Sequence, residues 1–248
     1  MPKTFDSLIP SIELRERAWL QARERLARTH PAPILPSITI SREYGCEGYP
    51  LAQHLKRLLE EASGKPWTIF DKALVDKVAS DEQLSRELLG HLGDESHAQD
   101  VLRAHFGYLT HDDAYARLLK HIVPLAAAGC AIIVGRGGAI ACQDLKNCFH
   151  VRLVGGFAFR ATSMARRLEL PLGEAEELVR TQSELRETFI SRCLGADVTA
   201  TRWYDATFNN ERQSVEAIAQ ACLRMVNTGW PDKDTFRSDL QHASLGGR

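Results

Sequence analysis

The sequence predicts an α/β protein with three layers, in which a parallel sheet of five strands lies between layers of helices. Three observations carry this prediction. Short apolar segments alternate along the chain with longer amphipathic ones, as strands alternate with helices in such proteins. Several of the apolar segments are continuous, which is typical of strands covered on both faces. A turn with two glycines, Gly45 and Gly48, joins the first of them to the helical pattern that follows.

Composition bounds the class of protein. The 248 residues are 44% hydrophobic and 25% charged, which suits a globular domain with a substantial core. The net charge of −1 supplies no basic field, so no nucleic-acid partner is expected. Six cysteines are scattered without a CxxC pair and no signal peptide is apparent, so we expect a reducing, cytoplasmic location. The most apolar window, residues 122–141, is interrupted by Pro124, glycines and Arg136, so no membrane span is predicted.

Residues 1–33 are predicted to form an N-terminal unit outside the main domain. Apolar residues recur every four positions from Leu14 to Leu26 among Arg and Glu, which predicts an amphipathic helix over residues 11–29. A proline-rich segment, residues 31–36, then ends the helix and forms a stiff linker. The helix could pack on the domain or on a second subunit, so a homo-oligomer formed through it is one expectation.

The main domain is predicted over residues 34–228. Its predicted strands, rich in β-branched and aromatic residues, are Ile34–Ser41, Trp67–Phe70, Ala131–Gly135, Phe149–Val154 and Tyr204–Asn209. Its predicted helices, with apolar residues at helical spacing, are Leu51–Glu61, Ala73–His91, Ala114–Ala128, Phe157–Glu169, Gly173–Leu194 and Val215–Val226. Right-handed crossovers would place these helices on both faces of the sheet. The acidic segment at about 81–113 is expected to form inserted helices, and residues 229–248 a polar tail.

The turn after the first strand is a candidate phosphate-binding loop. Gly45 and Gly48 allow positive φ and close approach of the backbone, and Pro50 suits the first turn of a helix. Backbone amides at that helix start, together with the helix dipole, would attract an anion. A Walker A loop ends in Lys followed by Ser or Thr, whereas this one ends Gly48-Tyr49-Pro50. The cationic and magnesium-binding side chains are therefore missing or come from elsewhere, and a glycine turn without any ligand is the alternative.

Two polar residues follow predicted strands. Arg136 lies between glycines at the carboxyl end of a strand, where open α/β sheets bind ligands, and its guanidinium matches a phosphate bidentately. The alternative is a structural ion pair, for example with Asp71. Asp71 itself could hold a magnesium-bound water or orient a substrate hydroxyl, or it could simply cap the next helix.

A third constellation is a set of arginines on two predicted helices. Its members are Arg160, Arg166, Arg167, Arg186 and Arg192. Converging guanidiniums would neutralise the charge that moves between two phosphates, which is the main requirement of phosphoryl transfer. The alternative is a pair of solvated helix faces balanced by the nearby glutamates.

Five segments in this order resemble the cytidylate kinase-like family of P-loop proteins. They are ITISREYGCEG, WTIFDKALVDKVA, AIIVGRGGAI, FRATSMARRLEL and WYDATFNN, and the resemblance runs from about residue 36 to residue 226. It implies a P-loop nucleoside monophosphate kinase fold with a lid at about 156–195. It also implies transfer of the γ-phosphoryl group of ATP to CMP or dCMP, with ATP and Mg²⁺ as cofactors.

The resemblance also implies roles for individual residues. The phosphate loop and the adenine end would be formed by Ser41, Gly45, Cys46, Glu47, Gly48, Tyr49 and Asn209. The catalytic cations would be Arg42, in place of the absent lysine, and the lid arginines Arg160, Arg166 and Arg167. The acceptor would be held by Asp71, Arg136, Arg186 and Arg192. Relative to cytidylate kinases, Gly48 aligns with the lysine and Pro50 with the magnesium-binding hydroxyl.

Three functions stay open at this point. The first is a phosphotransferase that acts on a nucleoside monophosphate or a related small acceptor. The second is a kinase fold that senses a nucleotide or another phosphorylated ligand without catalysis, which the altered loop favours. The third is an interaction protein that docks through its N-terminal helix.

Overall fold

The computed structural model describes residues 35–71, 73–74 and 121–229. Four predicted features lie wholly or mostly outside the described residues: the N-terminal helix, the helix over residues 73–91, the acidic insertion and the tail. Of the predicted helix at 114–128, residues 121–127 are described and are helical.

The sheet has five parallel strands, as the sequence predicts. They are β1 (Ser37–Arg42), β2 (Thr68–Phe70), β3 (Ala131–Val134), β4 (Cys148–Val154) and β5 (Ala206–Asn209). Their order is β2-β3-β1-β4-β5, with every neighbouring pair parallel. The chain runs from β1 to one side of the sheet and from β4 to the other. The carboxyl ends of β1 and β4 therefore flank a topological switch point, where open α/β sheets bind their ligands.

Besides the helical residues 121–127, five α-helices accompany the strands in the described part of the chain. They are α1 (Gly48–Ser63), α2 (Gly138–Ala141), α3 (Phe157–Leu168), α4 (Leu172–Leu194) and α5 (Val215–Gly229). Helix α1 begins three residues before its predicted start, because Pro50 lies in the first turn, where its missing N–H is not needed. The four-residue α2 was not predicted, since a helix of one turn leaves no periodic signal.

The sheet separates two apolar cores, which makes the three layers. On one face α1 and α5 cover strand residues such as Ile38 and Ile40, both fully buried. On the other face α2, residues 121–126 and the end of α4 cover Ile133. Helices α3 and α4, which form the predicted lid region, share a small core of their own around Met164 and Val179. The structure therefore confirms the predicted α/β class.

Strand β4 buries a histidine against β1, and this predicts a dependence of stability on pH. His150 Nδ1 lies 2.7 Å from Thr39 Oγ1, and Nε2 is buried without a partner among the described residues. Burial lowers the pKa of His150, opposed by the charge of Asp205. The unfolded chain, with an ordinary histidine pKa of about 6.5, therefore binds more protons in mild acid, and stability falls as the pH drops below that value.

We expect His150→Gln to flatten this dependence. Denaturant titrations at about pH 7.5 and pH 5.5 should give a smaller loss of unfolding free energy for the variant than for the parent chain. Every other titratable group is the same in both proteins, so the difference isolates His150. Equal losses in the two proteins would mean that His150 does not carry the effect.

Candidate functional site

A cavity of about 370 Å³ opens at the carboxyl edge of the sheet. Its walls are the ends of β1 and β3, Arg152 of β4, the second half of α4, and Val198 and Tyr204 from the segment before β5. Five arginines and two glutamates line it: Arg42, Arg136, Arg152, Arg160, Arg186, Glu43 and Glu187. Its size suits a small-molecule ligand, and its charge favours an anionic one.

Arg42 crosses from β1 to β3 through space that two glycines leave open. A Cβ at Gly48 would lie 3.1 Å from Cδ of Arg42, and a Cβ at Gly135 would overlap its Nη1. Gly48, which stands where a Walker A loop has its lysine, therefore makes room for an arginine from the preceding strand. The cation at this helix start comes from Arg42 in this chain.

Three guanidiniums come near one another at the cavity. Burial lowers the pKa of Arg42 well below its ordinary value, and the like charges of Arg186 and Arg136 lower it further, while Asp71 and Tyr44 oppose them. Burial likewise lowers the pKa of Arg186 to about 10. No described residue accepts a hydrogen bond from Arg42 or forms an ion pair with it. Mutual repulsion of this kind favours an anion that is brought in by a ligand.

Arg136 has a strained backbone conformation. Its φ is +58°, between Gly135 at +82° and Gly137 at +65°, so three consecutive residues adopt positive φ. A non-glycine residue there is uncommon, and such strain clusters at functional sites. The Arg136 guanidinium also lies 5.9 Å from the centre of the Phe189 ring of α4, which helps to set its orientation.

Tyr44 orients the third cation. The guanidinium carbon of Arg186 lies 4.7 Å from the centre of the Tyr44 ring, within the range of a cation–π contact. Both residues line the cavity. The sequence analysis did not select Tyr44, although its position between the first strand and the first loop glycine placed it beside the predicted site.

Residues 45–49 of the predicted loop do not line the cavity. Three of their amides donate within the protein: that of Cys46 to Glu43 O (3.2 Å), that of Gly48 to Cys46 O (3.0 Å), and that of Glu47 to Asn210 Oδ1 (2.7 Å). A Cβ at Gly45 would lie 2.6 Å from Cβ of Arg160, so α3 packs directly on the loop. These amides are committed to internal bonds, which differs from the anion cradle that the sequence analysis describes.

The other loop residues have structural environments. Cys46 and Tyr49 are buried in the core beneath α1, and burial raises the pKa of Cys46 to about 12. Ser41 does line the cavity, where its hydroxyl accepts hydrogen bonds from Arg152 and Tyr204. Asn209 Oδ1 accepts from the amides of Glu211 and Arg212, which is a local turn after β5.

Of the predicted lid arginines, only Arg160 reaches the cavity. Its Nε donates to Gly155 O, its Nη1 donates to Tyr44 O and Ser183 Oγ, and Glu43 lies 3.5 Å away. These bonds join the loop, α3 and α4, so Arg160 fixes the cavity wall. This arrangement gives it a structural role beside the predicted catalytic one.

The remaining predicted arginines lie outside the cavity lining. Arg166 is exposed, with a contact of 3.4 Å to Glu47 Oε1, and Arg192 is exposed at the end of α4. Arg167 is half-buried, and burial lowers its pKa while Glu47 opposes this effect. Neither Arg166 nor Arg167 lines the cavity, although Arg167 lies near enough to Tyr44 for its charge to act on that residue.

Asp71 has the helix-cap arrangement, which was one of its two predicted alternatives. It is buried at the end of β2, and its Oδ1 accepts a hydrogen bond of 3.0 Å from the Leu74 amide, as a helix cap does. Its charge also raises the pKa of Arg42. Asp71 therefore acts on the cavity through Arg42 and does not itself line it.

The structure adds a residue pair that the sequence analysis missed. Arg152 of β4 is only 6% exposed, yet it lines the cavity, and its Nη1 lies 3.3 Å from Tyr204 Oη. The Arg152 guanidinium also lies 5.3 Å from the centre of the Tyr204 ring. A charged residue inside the buried strand CFHVRLV was the available signal, because such burial is costly unless the charge is used.

A magnesium ion held by protein side chains does not fit these residues. The described part of the chain has no group of three or more His, Cys, Asp or Glu side chains that could hold a metal. Of the two cavity carboxylates, Glu43 accepts from the Gly155 amide and lies beside Arg160. The surrounding guanidiniums repel a cation, and Pro50 supplies no hydroxyl.

Comparison with known proteins places the chain in a family. The model of the cytidylate kinase-like family matches residues 37–212, which is more than half of the chain. The chain belongs to the cytidylate kinase-like family. This confirms the resemblance that the five sequence segments indicated, and the family suggests a nucleotide kinase-like function. No curated protein matches the chain.

A solved structure supports the fold alone. A crystal structure of an uncharacterized protein from Eubacterium ventriosum ATCC 27560 matches with a TM-score of 0.62 and 18% identity. The match covers 78% of this chain and 98% of that one. In the described residues, no helix has the length and apolar character that crossing a bilayer requires.

Proposed function

We propose that this protein binds a nucleoside monophosphate in the arginine-lined cavity and transfers a phosphoryl group to it from ATP. CMP and dCMP are the first candidates, because of the family. One observation carries the proposal: Arg42, Arg136 and Arg186 line one cavity at the carboxyl edge of the sheet, near enough for their charges to interact. Such a cluster is suited to a phosphate dianion.

The cavity arginines have separate roles in this proposal. Arg136 and Arg186 bind the acceptor phosphate, held in orientation by Phe189 and Tyr44. Arg42 lies against the start of α1, where it contacts the same phosphate and neutralises charge on the phosphoryl group that is transferred to it. Arg160 holds α3 and α4 against the loop, so the cavity walls exclude water from the transfer.

Binding without transfer is the second candidate, and the loop favours it. The amides of Cys46, Glu47 and Gly48 donate within the protein, so the usual cradle for the donor phosphates is not offered. In this candidate the cavity senses a nucleotide or another phosphorylated ligand and no phosphoryl group moves. A turnover assay distinguishes the two candidates: with ATP and each nucleoside monophosphate, ADP accumulates only in the first.

Replacement of Arg136 tests the site that both candidates share. At about 100 times its Kd, CMP should stabilise the parent chain by about 2.7 kcal/mol, measured as a shift in Tm. At the same CMP concentration we expect Arg136→Ala to reduce this stabilisation to about half or less, because the phosphate loses a charged donor that is worth about 1.5–3 kcal/mol. Arg192→Ala is the matched control on an exposed helix end. An unchanged shift in the Arg136 variant would place the ligand elsewhere.

A further inference from the structure

The cavity has more arginines than the proposed monophosphate site uses. Five arginines line it, and that site takes Arg42, Arg136 and Arg186. Of the other two, Arg160 lies 3.5 Å from Glu43 and is fixed by hydrogen bonds to the cavity wall.

Arg152 is the remaining arginine of the cavity. It is 6% exposed and lines the cavity, but its Nη1 donates only to neutral acceptors: Ser41 Oγ (3.4 Å), Val198 O (2.7 Å) and Tyr204 Oη (3.3 Å). Among the described residues, no carboxylate lies within ion-pair distance of it and none accepts from its Nε or Nη2. The pKa of the exposed Asp197 is lowered first by its hydrogen bonds with Thr199 and less by the charge of Arg152. A buried guanidinium of this kind is costly unless an anion joins it.

The strand geometry separates Arg152 from Arg42. Ser41 and Arg42 are consecutive in β1, so their side chains point to opposite faces of the sheet. Ser41 is the register partner of Arg152 and its hydrogen-bond acceptor, which places that pair on one face. The stem of Arg42 lies against Gly48 at the start of α1, on the other face. The cavity therefore has cations at two places across one sheet edge.

We propose that Arg152, with the hydroxyls of Ser41 and Tyr204, forms a second oxyanion subsite in this cavity, for a phosphate distinct from the one held at Arg42, Arg136 and Arg186. This inference rests on the proposed function and specifies its ligand as one that presents two separate phosphates. Both phosphates belong to one nucleotide, or the second is the terminal phosphate of the donor.

Calorimetric titration of the full chain tests the subsite. The probes are cytidine, CMP, cytidine 3′,5′-bisphosphate, CMP with a non-hydrolysable ATP analogue, and inorganic pyrophosphate. We expect the bisphosphate to bind at least about tenfold more tightly than CMP, or the ATP analogue to tighten CMP by that factor, since a charge-assisted contact is worth about 1.5–3 kcal/mol. The first result assigns both phosphates to one nucleotide, and the second assigns one to the donor.

Variants of Arg152 show whether this residue causes the gain in affinity. Arg152→Gln should remove the tenfold gain while leaving the affinity for CMP within about threefold, and Arg152→Lys should keep part of the gain. Arg202→Gln is the control, an exposed arginine stacked on Trp203 beside the site. Absence of any gain in the parent chain overturns the inference, and this measurement needs no variant to fold.

Two other outcomes are decisive. If Arg152→Gln weakens cytidine and CMP by the same factor, Arg152 recognises the base or sugar and the inference is wrong. If no nucleotide binds but pyrophosphate binds in a manner that depends on Arg152, the subsite stands and the proposed nucleotide function fails. If CMP binds and a second phosphate adds no affinity, the proposed monophosphate site stands and the second subsite is wrong.

Discussion

Arg42→Met should weaken the binding of CMP by roughly 10- to 100-fold without destabilising the ligand-free protein, because a charged hydrogen bond to the ligand is worth about 1.5–3 kcal/mol. Methionine keeps most of the stem that packs on Gly48, so the variant removes the charge with little loss of packing. The loss of one of three neighbouring like charges should leave Tm unchanged or raise it, since Arg186 and Arg136 oppose the charge on Arg42. Calorimetry and thermal denaturation measure the two effects.

Arg57→Met is the control for this variant. Arg57 lies on α1, the helix whose start the Arg42 stem packs against, but it is 59% exposed and pairs with Glu61 one turn further along. Its replacement should change neither affinity nor Tm by a measurable amount, because an exposed pair contributes little. Should Arg42→Met retain CMP affinity within about twofold, Arg42 would not contact the phosphate.

Gly45→Ala should lower the unfolding free energy by about 3 kcal/mol or more, the largest effect on stability that we expect from a single methyl group. A Cβ there would lie 2.6 Å from Cβ of Arg160 and 2.7 Å from its carbonyl oxygen, and the backbone of α3 cannot yield as a flexible side chain can. The positive φ of +99° adds its own strain. Denaturant titration gives the difference directly.

Gly64→Ala separates the two causes. Gly64 ends α1 with φ of +63°, and a Cβ there meets nothing within 4 Å. Only the conformational cost of about 1 kcal/mol applies, so this variant should be much milder than Gly45→Ala. Equal losses in the two variants would show that close packing of α3 on the loop is not the cause. It would also remove the basis for the role given to Arg160 in fixing the cavity wall.

The sheet and its helices were predictable from the sequence because continuous apolar runs such as AIIV in β3 have one stable environment, a strand covered on both faces. The first residue of α1 was less predictable. The predicted helix began at Leu51, after Pro50, whereas the helix begins at Gly48 and Pro50 lies within its first turn. Arg136 lies near β1 because β3, the strand before it, is the neighbour of β1 in the sheet. Arg186 lies near β1 only because α4 also packs beside this edge of the sheet.

The state of the loop could not be predicted from its own residues. The acceptor for the Glu47 amide is Asn210, which is distant in the sequence, and the space at Gly45 is closed by Arg160 of α3. Glycine spacing predicts a conformation that can bind phosphate, but tertiary contacts decide whether its amides are available. Arg152 was missed for a related reason: its importance lies in partners that only the fold supplies.

A crystal structure of the complex with CMP tests the central claim most directly. The account predicts the phosphate within hydrogen-bond distance of the guanidiniums of Arg42, Arg136 and Arg186, with the Cys46, Glu47 and Gly48 amides still bonded within the protein. A phosphate seated on those amides, or bound outside the cavity with the three guanidiniums turned away, would contradict it.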